Sequence, residues 1–350
     1  MSKQEVIICK DFRSELEQVV GNQPAEQIFI LTDTLTRKFC LPLLLESEKL
    51  AGAHIFSIVN GDEHKNLDSL TAVWQFLSDN GATRRSLMIN LGGGMITDLG
   101  GFAASTFKRG MRYINIPTTI LGAVDAAVGG KTGINFNGLK NEIGVINPAD
   151  FVLVNARFFN SLSTEQILNG SAEMIKTALI ADENLWSEMR QSPPKGGQPG
   201  FNDAFVERCI EIKKDIVERD PYEQNIRKAL NFGHTVGHAF ESFSYEKNTP
   251  VLHGYAVAWG MICELYLSYR TLNFPKEKLQ EICCFIGKNY GSFAISCKDY
   301  DRLFELMTHD KKNDSKEINF TLLGDIGDIR INQHVSQNLI FDSFDFFCDM

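Results

Sequence analysis

The 350-residue sequence contains no Cys-x-x-Cys pair, no His-Glu-x-x-His run and no apolar stretch as long as a membrane span. Its eight cysteines (Cys9, Cys40, Cys209, Cys263, Cys283, Cys284, Cys297 and Cys348) are scattered. That spacing argues against a zinc ribbon or a disulfide framework and leaves them as small buried hydrophobes in a reducing compartment. A basic excess is also missing: 35 Lys and Arg stand against 44 Asp and Glu, a net charge of −9. Such a chain is not built to neutralise nucleic-acid phosphates, and neither a nucleic acid nor a membrane is expected as a partner. Residues 1–5 carry no apolar segment of the secretory kind, so a cytoplasmic location is expected. Internal repeats are absent, and the one biased stretch is the Pro- and Gly-rich run 192–200, which reads as an exposed loop.

What is present suits a globular enzyme: 43% hydrophobic and 23% charged residues, in a chain long enough for two domains. Residues 1–158 alternate apolar runs with helical patterns, which predicts an α/β domain with a largely parallel sheet. Strands are expected at 28–31, 54–59, 87–91, 113–116 and 151–154. Leu67, Leu70, Val73, Trp74 and Leu77 mark one face of a helix between the second and third of these. Residues 159–350 read as mostly α-helical, with helices expected at 164–181, 201–217, 229–243, 253–269, 276–288 and 300–308.

The stretch 87–141 organises the first domain. The apolar run Leu87-Met88-Ile89-Asn90-Leu91 breaks into Gly92-Gly93-Gly94 and continues as a helical segment. Strand, glycines, helix is the pattern of a phosphate cradle, in which backbone N–H groups and the helix N-terminus meet an anion. The plain alternative is a tight turn. The polar residues that follow (Lys108, Arg109, Thr118, Thr119, Asp125, Lys131, Lys140 and Asn141) favour an anion site. Asp33, Asp62, Gly92–Gly94 and Thr118 each fall just after an expected strand, where ligands of parallel sheets bind. Asp33 and Asp62 also read as helix caps or turn residues.

The helical domain carries a second constellation. His234 and His238 are four residues apart, which sets both rings on one helix face in a metal-ligand spacing. A hydrogen-bonded core pair is the other reading, and the spacing leaves both open. His253 and Glu173 are candidates to complete a metal set, Glu173 because its small and apolar neighbours point it inward, where a carboxylate needs a partner. Lys213, Arg227, Asn231 and the run His309-Asp310-Lys311-Lys312 would then serve an anionic substrate.

From about residue 33 to 323 these motifs resemble the 3-dehydroquinate synthases, a family of sugar-phosphate cyclases. The resemblance rests on Gly92–Gly94 through Asp98, Lys108-Arg109-Gly110, Pro117-Thr118-Thr119, Asp125, Gly129-Gly130-Lys131-Thr132, Lys140-Asn141, Ala172-Glu173-Met174-Ile175-Lys176, Leu230 through Thr235, Gly237-His238, His253-Gly254 and Asp310-Lys311-Lys312. It implies a Rossmann-like N-terminal domain binding NAD, a helical C-terminal domain binding Zn²⁺ or Co²⁺, and an active site in the cleft between. By the same resemblance the metal falls to Glu173, His234 and His253, leaving His238 beside the substrate. NAD falls to Asp33, Asp62, Lys65, Gly92, Gly93, Gly94, Asp98, Thr118, Thr119 and Leu121. Substrate falls to Asp125, Lys131, Lys140, Asn141, Lys176, Lys213, Arg227, Asn231 and His238. Arg109 would reach the phosphate from the neighbouring subunit of a homodimer, joined by Lys311 or Lys312. The implied reaction turns 3-deoxy-D-arabino-heptulosonate 7-phosphate into 3-dehydroquinate and phosphate, through transient oxidation by NAD, β-elimination, re-reduction and an intramolecular aldol closure. Rival readings are a cyclase for another sugar phosphate, a metal-dependent polyol dehydrogenase, and a non-catalytic binding protein on the same scaffold. Asp62 stands where the family usually has Glu, and Thr97 and Asn225 replace common glycines.

Overall fold

The computed structural model describes residues 4–21, 27–137, 139–192, 203–308 and 318–350. The chain divides into two compact units: residues 1–163 with 197–214, and residues 164–196 with 215–350.

The first unit is built on six strands: β1 (Glu5–Ile8), β2 (Ile28–Asp33), β3 (His54–Ile58), β4 (Leu87–Gly92) and β5 (Arg112–Pro117), with β8 (Phe151–Val154). Between β5 and β8 the chain forms a separate antiparallel hairpin, β6 (Lys131–Phe136) and β7 (Leu139–Ile146). The six-stranded sheet runs β1-β8-β5-β4-β2-β3, and every pairing in it is parallel. β4 is buried at all six residues, as expected of an inner strand covered on both faces by helices. The pairing order places β3 on one side of β2 and β4 on the other, so the direction of winding reverses at β2. The crevice beyond the carboxyl ends of β2 and β4 is the topological switch point, where open parallel sheets take their ligands.

β1 and the β6–β7 hairpin were not expected from the sequence. β1 is four residues long and lies at the sheet edge, too short for a periodic signal. The hairpin hides in a glycine-rich run that reads as a loop. Its register pairs Lys131 with Ile146 and Ile134 with Ile143, and Gly133 faces Gly144 where side chains would collide with backbone.

The second unit is helical. Its centre is the helix His253–Leu272, buried almost all round from Gly254 to Ser268. The Thr164–Ala181 helix is buried from Asn169 to Ile180. A helix apolar on every side belongs to a core and has no solvent face to show in its pattern. A hairpin of β9 (Phe320–Asp325) and β10 (Asp328–Gln333) and the helix Gln337–Cys348 complete the unit. Phe344 and Phe347 of that last helix pack on Phe240, which gives the Phe-rich C-terminal segment a core role.

The single helix expected over 229–243 is two elements: a 3-10 turn, Ile226–Asn231, and the helix His234–Glu246. Gly233 separates them with a left-handed φ of 79°, which a side chain disfavours. The Asp203–Arg219 helix belongs to the first unit as far as Lys214. The proline–glycine run at 193–200 and the segment 309–317, with Lys311 and Lys312, lie outside the described residues. Among the described residues no helix is long and apolar enough to cross a membrane.

Candidate functional site

In the first unit the residues expected to meet a dinucleotide gather at the ends of neighbouring strands. β2 ends at Asp33, β4 at Gly92 and β5 at Pro117, followed by Thr118 and Thr119. Gly92 is the last residue of the strand, Gly93 is the helix N-cap, and Gly94 opens the helix Gly94–Thr106. Gly93 has no side chain to cap the first-turn amides, which leaves that N-terminus suited to an anion. A Cβ on Gly93 would stand 3.0 Å from the Thr119 methyl, so glycine also allows the loop after β5 to close on this turn. Asp33 acts as a cap as well: its Oδ1 accepts from the Leu35 and Thr36 amides, 2.8 Å each, in a capping box with Thr36. Leu121 stands at the N-terminal edge of the Gly122–Ala126 turn.

Around this turn the first unit lays out three Lys–Asp pairs. Lys65 Nζ lies 2.7 Å from Asp98 Oδ2, Lys140 Nζ lies 3.2 Å from Asp62 Oδ2, and Lys213 bonds Asp125 through both its carboxylate and its carbonyl. Burial alone would raise the Asp62 carboxyl, yet Lys140 and Lys65 hold it below its ordinary value. Asp98 is the opposite case, since burial raises it despite Lys65. Asn135 ties the hairpin to this network: its amide donates to Asp62 Oδ2 at 3.2 Å, and its own N–H donates to the Lys65 carbonyl at 2.8 Å. Asn141 adopts φ +51° and donates its N–H to Asn135 Oδ1 at 3.0 Å, while Lys131 is exposed at the start of β6. Lys108 and Arg109 are both left-handed, at φ 49° and 66°, so Arg109 sits in a strained turn after the Gly94–Thr106 helix.

In the second unit, three residues from three helices converge. Glu173 and Lys176 lie on one face of the Thr164–Ala181 helix and form a buried pair, Nζ to Oε2 2.5 Å. His234 opens one helix and His253 another. Glu173 Oε1 lies 3.3 Å from His234 Nε2 and 3.2 Å from His253 Nε2, and the three ligand atoms all fall within 4.8 Å of one another.

Several contacts set this geometry. Gly254 donates its N–H to Asn169 Oδ1 at 2.6 Å, which joins the start of the His253 helix to the Glu173 helix. The fully buried Glu264 accepts from the Gly233 amide at 2.6 Å and the Val236 amide at 3.1 Å, so a neighbouring helix caps the His234 helix. The spacing signal paired His234 with His238. The converging set is instead Glu173, His234 and His253, with the half-buried His238 ring 5.3 Å from that of His234 and 5.8 Å from that of His253.

The donor chemistry fits a divalent cation. His234 Nδ1 lies 3.1 Å from the Phe232 carbonyl oxygen, which only accepts, so Nδ1 carries the proton. Burial lowers His234 to about 4, which keeps the ring neutral at physiological pH. Its Nε2 lies 3.3 Å from Glu173 Oε1, a contact that a bound cation would favour. Glu173 is held well below the ordinary carboxylate range: burial opposes this, and the Lys176 ammonium is the largest influence that outweighs it. For His253, burial lowers the value while Glu241 and Glu173 raise it, to a net of about 10. Two imidazoles and one carboxylate form a set that borderline divalent metals accept, with positions left open for substrate oxygens.

The remaining candidates in this unit lie on the approach to the His234 helix. Arg227 is buried, with its guanidinium donating to the Pro221 carbonyl at 2.7 Å. Asn231 donates to Glu223 Oε1 at 2.7 Å. Asp220 organises the loop before them by accepting from the Gln224, Asn225 and Arg227 amides. Glu223, Glu241, Glu264 and Asn135 were not singled out from the sequence. A signal existed for Glu241, which is seven residues after His234 and three after His238, hence on the same helix face.

An α/β unit with a parallel sheet and a helical unit make a fold that this chain shares with solved NAD⁺-binding synthases. The chain matches a solved 2-epi-5-epi-valiolone synthase from Streptomyces hygroscopicus, with NAD⁺ and Zn²⁺ bound, at 23% identity and a TM-score of 0.88, covering 100% of this chain and 98% of that one. It also matches a 2-deoxy-scyllo-inosose synthase complexed with carbaglucose-6-phosphate, NAD⁺ and Co²⁺, at 24% identity and a TM-score of 0.84, covering 98% and 96%. Within that architecture the chain belongs to the 3-dehydroquinate synthase family. The family's N-terminal model matches residues 55–169 and its C-terminal model residues 170–313. The 3-dehydroquinate synthase of Parabacteroides distasonis is 50% identical over 347 residues, 99% of this chain and 98% of that protein.

Proposed function

We propose that the protein converts 3-deoxy-D-arabino-heptulosonate 7-phosphate into 3-dehydroquinate and phosphate, as an NAD- and metal-dependent carbon–oxygen lyase. The observation that carries this reading is the convergence of Glu173, His234 and His253, whose ligand atoms all lie within 4.8 Å of one another, in a chain of this family. When bound, NAD supplies a hydride acceptor that is restored each turnover, and Zn²⁺ or Co²⁺ supplies a Lewis acid for the substrate's hydroxyl oxygens.

The chain's own residues supply binding, orientation and proton handling. Glu173, His234 and His253 hold the metal, and Lys176 offsets the charge of the buried Glu173. His238 stands beside that set without belonging to it, and in this reading it binds substrate and moves a proton. Arg227 and Asn231 hold anionic and hydroxyl groups of the substrate, a task suited to a guanidinium fork and an amide. In the first unit, Asp33, Asp62, Lys65, Gly92–Gly94, Asp98, Thr118, Thr119 and Leu121 hold NAD, supported by the switch point and the open helix N-terminus. Asp125, Lys131, Lys140, Asn141 and Lys213 serve the substrate, and Arg109 serves its phosphate with Lys311 or Lys312.

A cytoplasmic homodimer completes the reading. The dimer is supported by β7, where Leu139, Ile143 and Val145 lie exposed along a strand that, among the described residues, is paired on one side only.

Phosphate release from the heptulosonate phosphate, with NADH absorbance followed in the same cuvette, tests the function. Phosphate released without NADH build-up, and abolished by a chelator, is the expected result. Steady NADH production from polyols without phosphate release would move the protein to the dehydrogenases and overturn the reading.

A further inference from the structure

We infer that Glu241 is a positioning residue for the metal set, holding His253 in the tautomer whose Nε2 is free to bind a cation. Glu241 is 3% exposed, and its Oε2 lies 3.2 Å from His253 Nδ1. The Glu241 carboxylate facing Nδ1 keeps a proton on that nitrogen, so the proton a cation would displace is the one on Nε2, 3.2 Å from Glu173 Oε1, which makes Nε2 the metal-facing atom. His234 reaches the same state by another route, since its Nδ1 faces the Phe232 carbonyl. The two imidazoles are thus fixed by different acceptors, one from the backbone and one from a side chain. Only the second can be removed by substitution.

The placement follows from helix geometry. His234, His238 and Glu241 stand at i, i+4 and i+7 of the His234–Glu246 helix and share one face. That helix therefore provides one ligand directly and orients a second, which is carried on another helix. A buried carboxylate that met only apolar neighbours would be costly, and the His253 imidazole is one of the polar groups that meet it. Partners that hold the far nitrogen of a ligating histidine typically contribute about 10–100-fold to metal affinity.

The inference rests on the reading of Glu173, His234 and His253 as the metal set, and the test separates the two. Zn²⁺ affinity is measured by chelator competition on the full chain for Glu241→Met, Glu241→Gln and Glu173→Gln. Which His253 nitrogen binds zinc and which keeps the proton is read from ¹⁵N shifts of the zinc-loaded protein. Glu241→Met removes the acceptor at similar volume, and the expectation is a loss of about 10–100-fold in Zn²⁺ affinity with a mixed His253 tautomer. Glu241→Gln retains a carbonyl acceptor and should stay within a few-fold of the parent, which a purely structural role of the charge would not allow. Should Glu241→Met fail to fold, Glu241→Asp withdraws the carboxylate by one methylene and should weaken zinc binding in the same direction. Unchanged affinity and tautomer in a folded Glu241→Met or Glu241→Asp variant, while Glu173→Gln loses zinc, would overturn the role of Glu241 alone. Unchanged zinc binding in Glu173→Gln would overturn the metal set itself.

Discussion

Gly260 lies against Gly233 where the His253–Leu272 helix meets the His234–Glu246 helix: a Cβ on Gly260 would stand 2.1 Å from the Gly233 carbonyl oxygen. The same atom would stand 2.6 Å from the Gly237 amide nitrogen, so the obstacle is backbone, which cannot swing aside. The crossing brings the helix that starts at His253 against the helix that starts at His234. Gly260→Ala is expected to force these helices apart, costing about 1–3 kcal/mol of stability and weakening metal binding. Denaturant melts with and without Zn²⁺ check it; an unchanged midpoint and unchanged zinc stabilisation would refute it.

Glu173→Gln and His238→Ala should separate metal binding from turnover. Glu173→Gln keeps the shape and loses the charge that sits between His234 and His253, and should lower zinc content sharply. His238→Ala should keep zinc and lower kcat by about 10²–10⁴-fold, the usual worth of a positioned acid–base group. Loss of zinc from the His238 variant would return that residue to the ligand set.

Metal removal should lower thermal stability through mass action, because a cation that binds only the folded protein stabilises it. A chelator is expected to lower Tm, and added Zn²⁺ to restore it in a concentration-dependent way. An identical Tm in both states would show that the cluster holds no cation.

A pH prediction rests on Asp62. Its folded-state carboxyl is held below the ordinary value by Lys140 and Lys65. A depressed acid contributes stability that is fully present above its unfolded value, about 3.9, and is lost as pH falls through the folded value. Lys140→Met should therefore raise the Asp62 titration midpoint and make the acid limb of the stability curve less steep below pH 4. Carboxyl ¹³C shifts would follow it directly, and an unmoved Asp62 midpoint would sink the assignment.

Much of the site was legible because its chemistry is carried by residue types at spacings that survive without three-dimensional information. Gly92–Gly94 after an apolar run announced the strand–helix turn, and the buried strands β2, β4 and β5 followed from their apolar runs. The spacing of His234 and His238 pointed to the helix that carries one member of the converging set. His253, the other imidazole of that set, lies on a separate helix, where only tertiary packing brings it to Glu173. Glu264 and Asp220 act on backbone amides of distant segments, and no periodicity reports such bonds. The hairpin β6–β7 escaped because its glycines, which allow two strands to approach closely, also resemble those of a loop.

The order in which the sheet's strands pair sets a timetable for a chain leaving the ribosome. β1 ends at Ile8, yet its neighbour is β8, which begins at Phe151. At about 5–20 residues per second, the first strand waits roughly 7–30 s for its partner to be made. The first unit then waits longer, since it includes residues up to Lys214, by which point the Thr164–Ala181 helix of the second unit has already emerged. The first unit therefore cannot finish as a simple N-terminal domain, and β1 stays unpaired until residues 151–154 are made. Of the six strands, the one made first is among the last to be secured.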